Sequence, residues 1–111
     1  MHSASFQFNE ELPWEDLHNG LQRQLFGYDD KVMMLKIKFE KAAVGTLHHH
    51  PHSQVTYIES GVFDMTIDNI TKRLSAGDGY FVLPGLEHGI VCIEPGMLVD
   101  VFSPHREDFL G

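Results

Sequence analysis

The sequence predicts an all-β protein, built as a sandwich or a barrel. Short runs of apolar and β-branched residues recur along the chain, and turn residues separate them at intervals of about 8–12 residues, which is typical of such folds. None of these runs has the length and the 3.6-residue period of an amphipathic helix. The chain has 111 residues, of which 42% are hydrophobic, enough for one core without disulfides. We therefore predict a single domain over residues 1–111.

The predicted domain has three parts, an N-terminal arm (1–20), a β-barrel (21–103) and a C-terminal tail (104–111). The predicted strands in the barrel are 21–26, 32–39, 55–59, 63–67, 72–75, 80–83, 88–93 and 97–102. In the run 32–39, Leu35, Ile37 and Phe39 alternate with lysines, the pattern of a strand buried on one face. Turns are predicted between strands, including Ser60-Gly61 and Glu94-Pro95-Gly96.

Charge and composition exclude some classes of partner. The formal net charge of −8 and the lack of a basic stripe argue against nucleic acid. An anionic substrate would need a local positive site, and a metal ion with neutral ligands would supply one. No apolar run approaches membrane-spanning length. The single cysteine, Cys92, cannot form an internal disulfide, and the N-terminus lacks the features of a signal peptide, so we expect a cytoplasmic protein.

The segment from His48 to Gln54 contains four of the eight histidines and is predicted to be a metal site. On an extended strand His48 and His50 project from the same face, and imidazole is a ligand for Zn, Cu, Fe and Ni. Gln54 on the same stretch and His88, which follows a Pro-Gly turn, are candidates for the remaining ligands. The alternative is a solvated loop rich in histidine. The shared face and the distant histidine favour the metal site.

Asp100 is a second candidate functional residue because it interrupts the apolar run Met97–Phe102. Strand alternation places Leu98, Asp100 and Phe102 on one face. If this face lines a cavity, burial would raise the pKa of Asp100, and a carboxyl of that kind can act as a general base and then as an acid. The alternative is a buried aspartate that is hydrogen-bonded to a turn. The residues themselves leave both interpretations open.

Two motifs resemble those of the cupin family. His48-x-His50-x3-Gln54-x6-Gly61 is similar to the first cupin motif, and Gly77-x7-Gly85-x2-His88 to the second. This chain has Gln54 where the family pattern has Glu, Leu83 where it has Pro, and Ala42 where a glycine usually precedes the first motif. The resemblance implies a cupin jelly-roll β-barrel, a two-sheet antiparallel sandwich.

Within the cupins the chain resembles the KdgF type of pectin and alginate breakdown. The resemblance is carried by Leu25-Phe26-Gly27-Tyr28, His50-Pro51-His52 and Asp100-Val101-Phe102-Ser103-Pro104-x-Arg106. It implies an isomerase-like enzyme that converts 4,5-unsaturated uronate monosaccharides into linear 5-keto-4-deoxyuronate, and it implies a homodimer. The positions that match the family's metal ligands are His48, His50, Gln54 and His88. Those that match its residues for turnover and substrate binding are Asp100, Phe102 and Arg106.

The implied ligands also bear on the chemistry. Three imidazoles and an amide oxygen leave a divalent transition metal ion (Ni, Zn, Mn or Fe) its full charge, which favours Lewis-acid chemistry on an anionic sugar. A pair formed by His50 and His52 would put Thr56, a poor ligand, in place of Gln54. We therefore expect His52 either beside the ligands or at the mouth of the site, and His49 on the surface. Two alternatives are a non-catalytic sugar-binding or sensory cupin, and a metal-dependent dioxygenase that consumes oxygen.

Overall fold

The computed structural model describes residues 1–110, which form eight strands and one turn of 3₁₀ helix. The strands are β1 (Glu15–His18), β2 (Leu21–Tyr28), β3 (Met33–Phe39), β4 (Val44–His48), β5 (Ser53–Ile67), β6 (Ile70–Ser75), β7 (Gly79–Val82) and β8 (His88–Ser103). The 3₁₀ turn is Glu107–Phe109. All strand pairs are antiparallel, and the predicted all-β jelly-roll fold class is confirmed.

Two long strands, β5 and β8, join the two layers of the barrel. The strand order is β1-β2-β3-β8-β5-β6, with β4 also paired to β8 and β7 also paired to β5. The C-terminal half of β8 pairs with β3, and its N-terminal half pairs with β4. Likewise β7 pairs with the first half of β5 and β6 with the second half. Each long strand therefore begins in one layer and ends in the other.

The predicted turns at Ser60-Gly61 and Glu94-Pro95-Gly96 are wrong, because both segments lie inside continuous strands. They face each other in the β5–β8 ladder, where the register shifts around residues 58–63. Gly61 has a φ of +90°, and a side chain on Gly96 would collide with the Ser60 carbonyl oxygen. Turn-forming residues serve here to bend two paired strands together, as β-bulges do.

The core consists of two clusters, and the inward face of β8 contributes a residue to each. Leu98 belongs to the larger cluster, in which Phe39 and Phe63 pack edge to face at 5.2 Å between ring centroids. Phe102 belongs to the smaller cluster. Asp100 lies between them on the same face, so the predicted alternation of this strand places a buried carboxyl in the barrel interior. In residues 1–110 no helix is long and apolar enough to cross a membrane.

Both ends of the chain contact β2 and its neighbours. β1 pairs with β2, although no strand was predicted within the arm. The amide of Gln24, which is fully buried, donates to the carbonyl oxygens of Asn9 and Leu12. After Ser103 the chain turns back, and Phe109 and Leu110 pack against the smaller core cluster. The predicted tail extends to Gly111, which lies outside the described residues.

Candidate metal centre and cavity

Three histidines from two strands and a loop meet at one end of the barrel. His48 ends β4 and is the ladder partner of His88, which begins β8. The strand does not continue to His50, which lies in the following loop, where its carbonyl oxygen accepts a hydrogen bond from the Gly85 amide at 2.9 Å. The ligand atoms of the three rings lie within 4.8 Å of one another. His48, His50 and His88 are therefore positioned to bind a metal ion.

The hydrogen bonds of the rings leave nitrogen lone pairs available for a metal. Nδ1 of His48 lies 2.7 Å from the Thr46 carbonyl oxygen, and Nδ1 of His88 lies 2.9 Å from that of Leu86. A carbonyl oxygen only accepts, so in the neutral form of each ring Nδ1 carries the proton and Nε2 has the free lone pair. Nε2 of His88 is buried without a protein partner. Histidines that ligate metals usually donate from their other ring nitrogen to a carbonyl or carboxylate oxygen, as these two do.

Burial keeps two of the three rings, those of His50 and His88, neutral. Burial lowers the pKa of His50 to about 4, and it lowers the pKa of His88 as well. Neutral imidazole is the form that binds a metal, so neither ring would have to lose a proton near pH 7. The residues present therefore fit a divalent transition metal ion.

Gln54 lies beside the histidines, and its amide orientation is determined by its neighbours. The Thr56 hydroxyl donates to Asp100 Oδ1 at 2.6 Å, so the hydroxyl oxygen accepts from Gln54 Nε2 at 3.1 Å. The carbonyl oxygen of Gln54 consequently points to the histidines and accepts a hydrogen bond from Nε2 of His50 at 3.1 Å, which leaves Nδ1 of His50 as the unprotonated nitrogen of that ring. A metal ion could replace this hydrogen bond and take the oxygen, which comes from the position that aligns with Glu in the first cupin motif.

Asp100 lies next to this group. It is 5% exposed and is the ladder partner of both Leu35 on β3 and Thr56 on β5. Burial raises its pKa to about 6, while hydrogen bonds from Thr56 and Gln54 and the charge of Arg106 act in the opposite direction. Its carboxyl therefore changes protonation state near neutral pH and can accept and return a proton.

A cavity of about 170 Å³ joins these residues. Its polar wall contains His48, Gln54, His88, Asp100 and Arg106, and its other walls are mostly apolar. The structure thus brings six of the seven residues singled out in the sequence to one cavity, and the seventh, His50, contacts Gln54.

Arg106 and Phe102 occupy the wall of the cavity nearest the C-terminus. The Arg106 side chain is 14% exposed and pairs with Asp108, with an Nη2–Oδ2 distance of 2.9 Å. Its guanidinium also lies over the ring of Phe102, 5.1 Å from the centroid. The arginine is therefore mostly buried, and its ion pair is with a residue only two positions away in the chain.

The other two histidines of the segment His48 to Gln54 are His49 and His52, and neither lines the cavity. His49 is exposed. His52 lines an open depression outside the cavity, together with Pro104 and His105, and its ring centroid lies 5.4 Å from that of His50. These positions agree with a surface role for His49 and a place at the mouth for His52.

Three residues of the site were not predicted from the sequence. Thr56 links Gln54 to Asp100, and Tyr80, its ladder partner on β7, lines the cavity. Burial and the charge of Asp100 raise the pKa of Tyr80. Phe109, in the C-terminal tail, also lines the cavity. Thr56 lies two residues after Gln54 on the same strand, so alternation alone could have predicted that both side chains face the site. No local pattern indicates which strands Tyr80 and Phe109 contact.

The fold and the histidine-lined cavity are those of a cupin. A model of the cupin domain matches residues 35–102, and the chain belongs to the cupin family. It is 39% identical over 104 residues to the pectin degradation protein KdgF of Dickeya dadantii (strain 3937), covering 92% of this chain and 94% of the relative. The resemblance to the KdgF type is thereby confirmed.

Solved structures agree with this assignment. The structure of KdgF from Halomonas sp. superposes with a TM-score of 0.92 at 36% identity, covering 96% of this chain and 99% of that one. An RmlC-like cupin from Shewanella frigidimarina NCIMB 400 superposes with a TM-score of 0.96 at 46% identity, covering 97% of each chain.

Proposed function

We propose that this protein is a metal-dependent enzyme that opens the ring of 4,5-unsaturated uronate monosaccharides and forms linear 5-keto-4-deoxyuronate during pectin or alginate breakdown. The observation that carries the proposal is the single small cavity in which a histidine cluster, a buried carboxyl and an arginine face one another. Similarity over nearly the whole chain to a protein named for pectin degradation supports the same substrate class.

We assign the metal ligands as His48, His50, Gln54 and His88. The available nitrogen lone pairs and the Gln54 oxygen support this set, which suits one divalent transition metal ion such as Ni, Zn, Mn or Fe. Because all four ligands are neutral, a bound ion would retain its charge, attract a uronate carboxylate and stabilise negative charge that develops during ring opening. Gln54 in place of a carboxylate makes the site less suited to oxygenase chemistry, which typically uses two histidines and a carboxylate.

The remaining roles fall to Arg106, Phe102 and Asp100. Arg106 binds the substrate carboxylate, since a planar guanidinium can bind a carboxylate through two parallel hydrogen bonds. Phe102 forms the wall against which the sugar ring lies. Asp100, which is mostly ionised at neutral pH, is placed to take the proton of the C1 hydroxyl.

The proposed reaction is an isomerisation, because the product has the same atoms as the substrate and no oxidation or reduction occurs. As the C1 hydroxyl loses its proton to Asp100, C1 becomes a carbonyl carbon and the bond between C1 and the ring oxygen breaks. The electrons of that bond remain on the oxygen of C5, which gives an enolate. C4 then takes a proton and C5 becomes the ketone. Asp100 carries the proton removed from C1 and is the proposed donor to C4.

The decisive experiment follows the absorbance of the ring double bond of an unsaturated uronate monomer. Metal-loaded protein, chelator-treated protein and buffer alone are compared, because the ring also opens without a catalyst. A metal-dependent rate well above that of buffer is the expected result. A rate equal to that of buffer would overturn the proposal, and uronate binding without turnover or oxygen uptake would then point to a sensory cupin or a dioxygenase.

We also propose that the protein is a cytoplasmic homodimer. An apolar row crosses the outer face of one layer, in which Met34, Val101, Val55 and Phe81 are successive ladder partners on β3, β8, β5 and β7. Three of them, Met34, Val55 and Phe81, are more than 40% exposed. A contiguous apolar surface of this kind is typical of an interface. The cytoplasmic location rests on the single cysteine, which requires no oxidising compartment.

A further inference from the structure

The guanidinium of Arg106 is held on its edge and on its face. Its Nε donates to Oδ1 of Asp108 at 3.1 Å, and its Nη2 donates to Oδ2 at 2.9 Å. Its central carbon lies 4.3 Å from the centroid of the Phe109 ring and 5.1 Å from that of Phe102. A paired carboxylate and two aromatic rings thus fix both the direction and the plane of the group.

The contacts with Asp108 leave a defined set of donors free. A guanidinium has five N–H groups, and Asp108 takes one from Nε and one from Nη2. The remaining three include a parallel pair along the Nη1–Nη2 edge, which is the geometry that matches a second carboxylate. Arg106 itself lines the cavity. One carboxylate can therefore hold the group from the side while another binds to its end.

Phe109 is in turn held by a second arginine. The guanidinium carbon of Arg23, on β2, lies 4.2 Å from the centroid of the Phe109 ring. Arg23 is itself fixed by Glu15 on β1, with an Nη2–Oε2 distance of 2.8 Å. Phe109 also packs edge to face on Phe102 at 5.9 Å. The 3₁₀ turn is thereby attached to the first two strands of the barrel.

We propose that Asp108 and Phe109 are positioning residues, which hold Arg106 so that its Nη1–Nη2 edge can bind the carboxylate of the substrate. The inference rests on the proposed function, because it concerns how that site recognises a uronate. Asp108 is 58% exposed, and an exposed ion pair often contributes little. The two-point geometry and the mostly buried arginine distinguish this pair from such cases.

Binding of two unreactive probes tests the inference. One is the methyl glycoside of the unsaturated uronate, whose blocked C1 hydroxyl prevents ring opening, and the other is its carboxamide. Calorimetry on metal-loaded protein should show that Asp108→Asn weakens binding of the carboxylate probe by about tenfold, the loss of one charge-assisted hydrogen bond. Binding of the carboxamide should change by less than about twofold. Glu107→Gln is the matched control, because it makes the same change of charge one residue away at a side chain that has no hydrogen bond or ion pair with Arg106, and it should leave both affinities unchanged.

A double variant separates positioning from a general effect on the fold. In an Arg106→Gln background, Asp108→Asn should cause no further loss of affinity, because its effect passes through the arginine. Asp108→Glu, which retains the carboxylate, should recover most of the affinity. Phe109→Leu should reproduce the selective loss for the carboxylate probe.

Three results would overturn the inference. Equal losses for both probes would make Asp108 structural, and tighter binding of the carboxylate by Asp108→Asn would make Asp108 a competitor for Arg106. If the wild-type protein bound the two probes equally, the site would not recognise the carboxylate at all. Ring opening by the wild type, measured separately on the unblocked sugar, decides the proposed function, so the two failures are distinguishable.

Discussion

At the scale of single residues, the site depends on buried polar groups that have specific partners. Asp100 lies between two apolar clusters, where an ionised carboxylate without hydrogen bonds would be strongly unfavourable. Thr56 donates to it at 2.6 Å, and Gln54 donates to that same hydroxyl. This chain of hydrogen bonds also turns the oxygen of Gln54 towards the histidines, so one network orients both the proposed base and the proposed ligand.

Asp100→Asn should abolish turnover and leave the metal content unchanged. The amide keeps the shape of the carboxyl but cannot take a proton, and general-base catalysis typically contributes about 10²–10⁴-fold to the rate. The checks are the loss of double-bond absorbance and the metal content of the purified variant. Asp68→Asn, in an exposed turn, is the matched control and should retain full activity. A variant that loses its metal would show that Asp100 is structural.

Asp100 should also make the metal-free protein less stable as pH rises through its pKa. Its pKa in the folded protein is about 6, above the usual 3.8, so the folded state holds the proton more tightly than the unfolded state. The resulting stabilisation is complete below about pH 4 and is lost as pH rises through 6. In chelator-treated protein, Asp100→Asn should therefore be more stable than the wild type at pH 7, by an amount on the order of 3 kcal/mol. Urea unfolding at both pH values measures this difference, and a gap that persists at pH 4 would contradict it.

At the scale of elements, the two long strands determine where the site forms. β8 carries His88 at its start and Asp100 near its end, and β5 carries Gln54 and Thr56 opposite that end. Both strands bend where Ser60 and Gly61 face Gly96. The first residues of β8 therefore face the same cavity as its last residues. The joint bend is therefore a condition for assembling the site.

Gly96→Ala should destabilise the fold strongly, because its side chain would collide with the Ser60 carbonyl oxygen in the opposite strand. Backbone atoms cannot move aside cheaply, so we expect a loss of about 3 kcal/mol in the free energy of unfolding. The matched control is Gly77→Ala, where a side chain meets nothing within 4 Å and only the φ of +93° opposes it. That change should cost about 1–2 kcal/mol. Urea denaturation compares the two, and equal losses would show that the close approach is not limiting.

At the scale of the whole molecule, the proposed site for an anion lies in an acidic protein. The formal net charge is −8, so the surroundings repel a uronate unless the cavity supplies positive charge. Arg106 and a metal ion held by neutral ligands would supply it at short range. The charge of the protein thus gives a physical reason for the proposed ligand set, which contains no carboxylate.

Metal binding should raise the thermal stability of the protein through the histidine cluster. Ligand at 100 times its Kd stabilises a folded protein by about 2.7 kcal/mol. We expect a divalent transition metal to raise the Tm of chelator-treated wild type and to leave that of His88→Ala unchanged. His49→Ala, an exposed neighbour in the same segment, should retain the full increase. Calorimetry with and without metal tests this, and an increase that survives in His88→Ala would place the metal elsewhere.

The proposed dimer predicts that Val55→Lys gives a monomer. The substitution puts a charge in the centre of the apolar row, where association would bury it. Light scattering after size-exclusion chromatography measures the mass. Ile70→Lys, on an exposed residue of β6 outside the row, should remain dimeric. A monomeric wild type would refute the proposed interface.

Local patterns in the sequence determined the fold class, most strands and most residues of the site. Alternation along β8 is enough to place Leu98, Asp100 and Phe102 on one buried face, because side chains of a strand alternate whatever its partners are. The resemblance to the two cupin motifs selects His48, His50 and His88 as the histidines that meet, although His50 lies beyond the end of its strand. These features depend on neighbours close in the chain, or on motifs shared with other cupins.

Only the tertiary structure decided which distant residues meet. The local sequence predicts turns at Gly61 and Gly96. In the structure the two glycines lie against each other in paired strands, and this close contact allows both strands to bend together. Thr56 orients Gln54 only because Asp100 lies opposite it, and Phe109 reaches the cavity only because Arg23 and Phe102 hold its ring. The register between strands is set by the packing of the whole barrel, so no short stretch of sequence contains it.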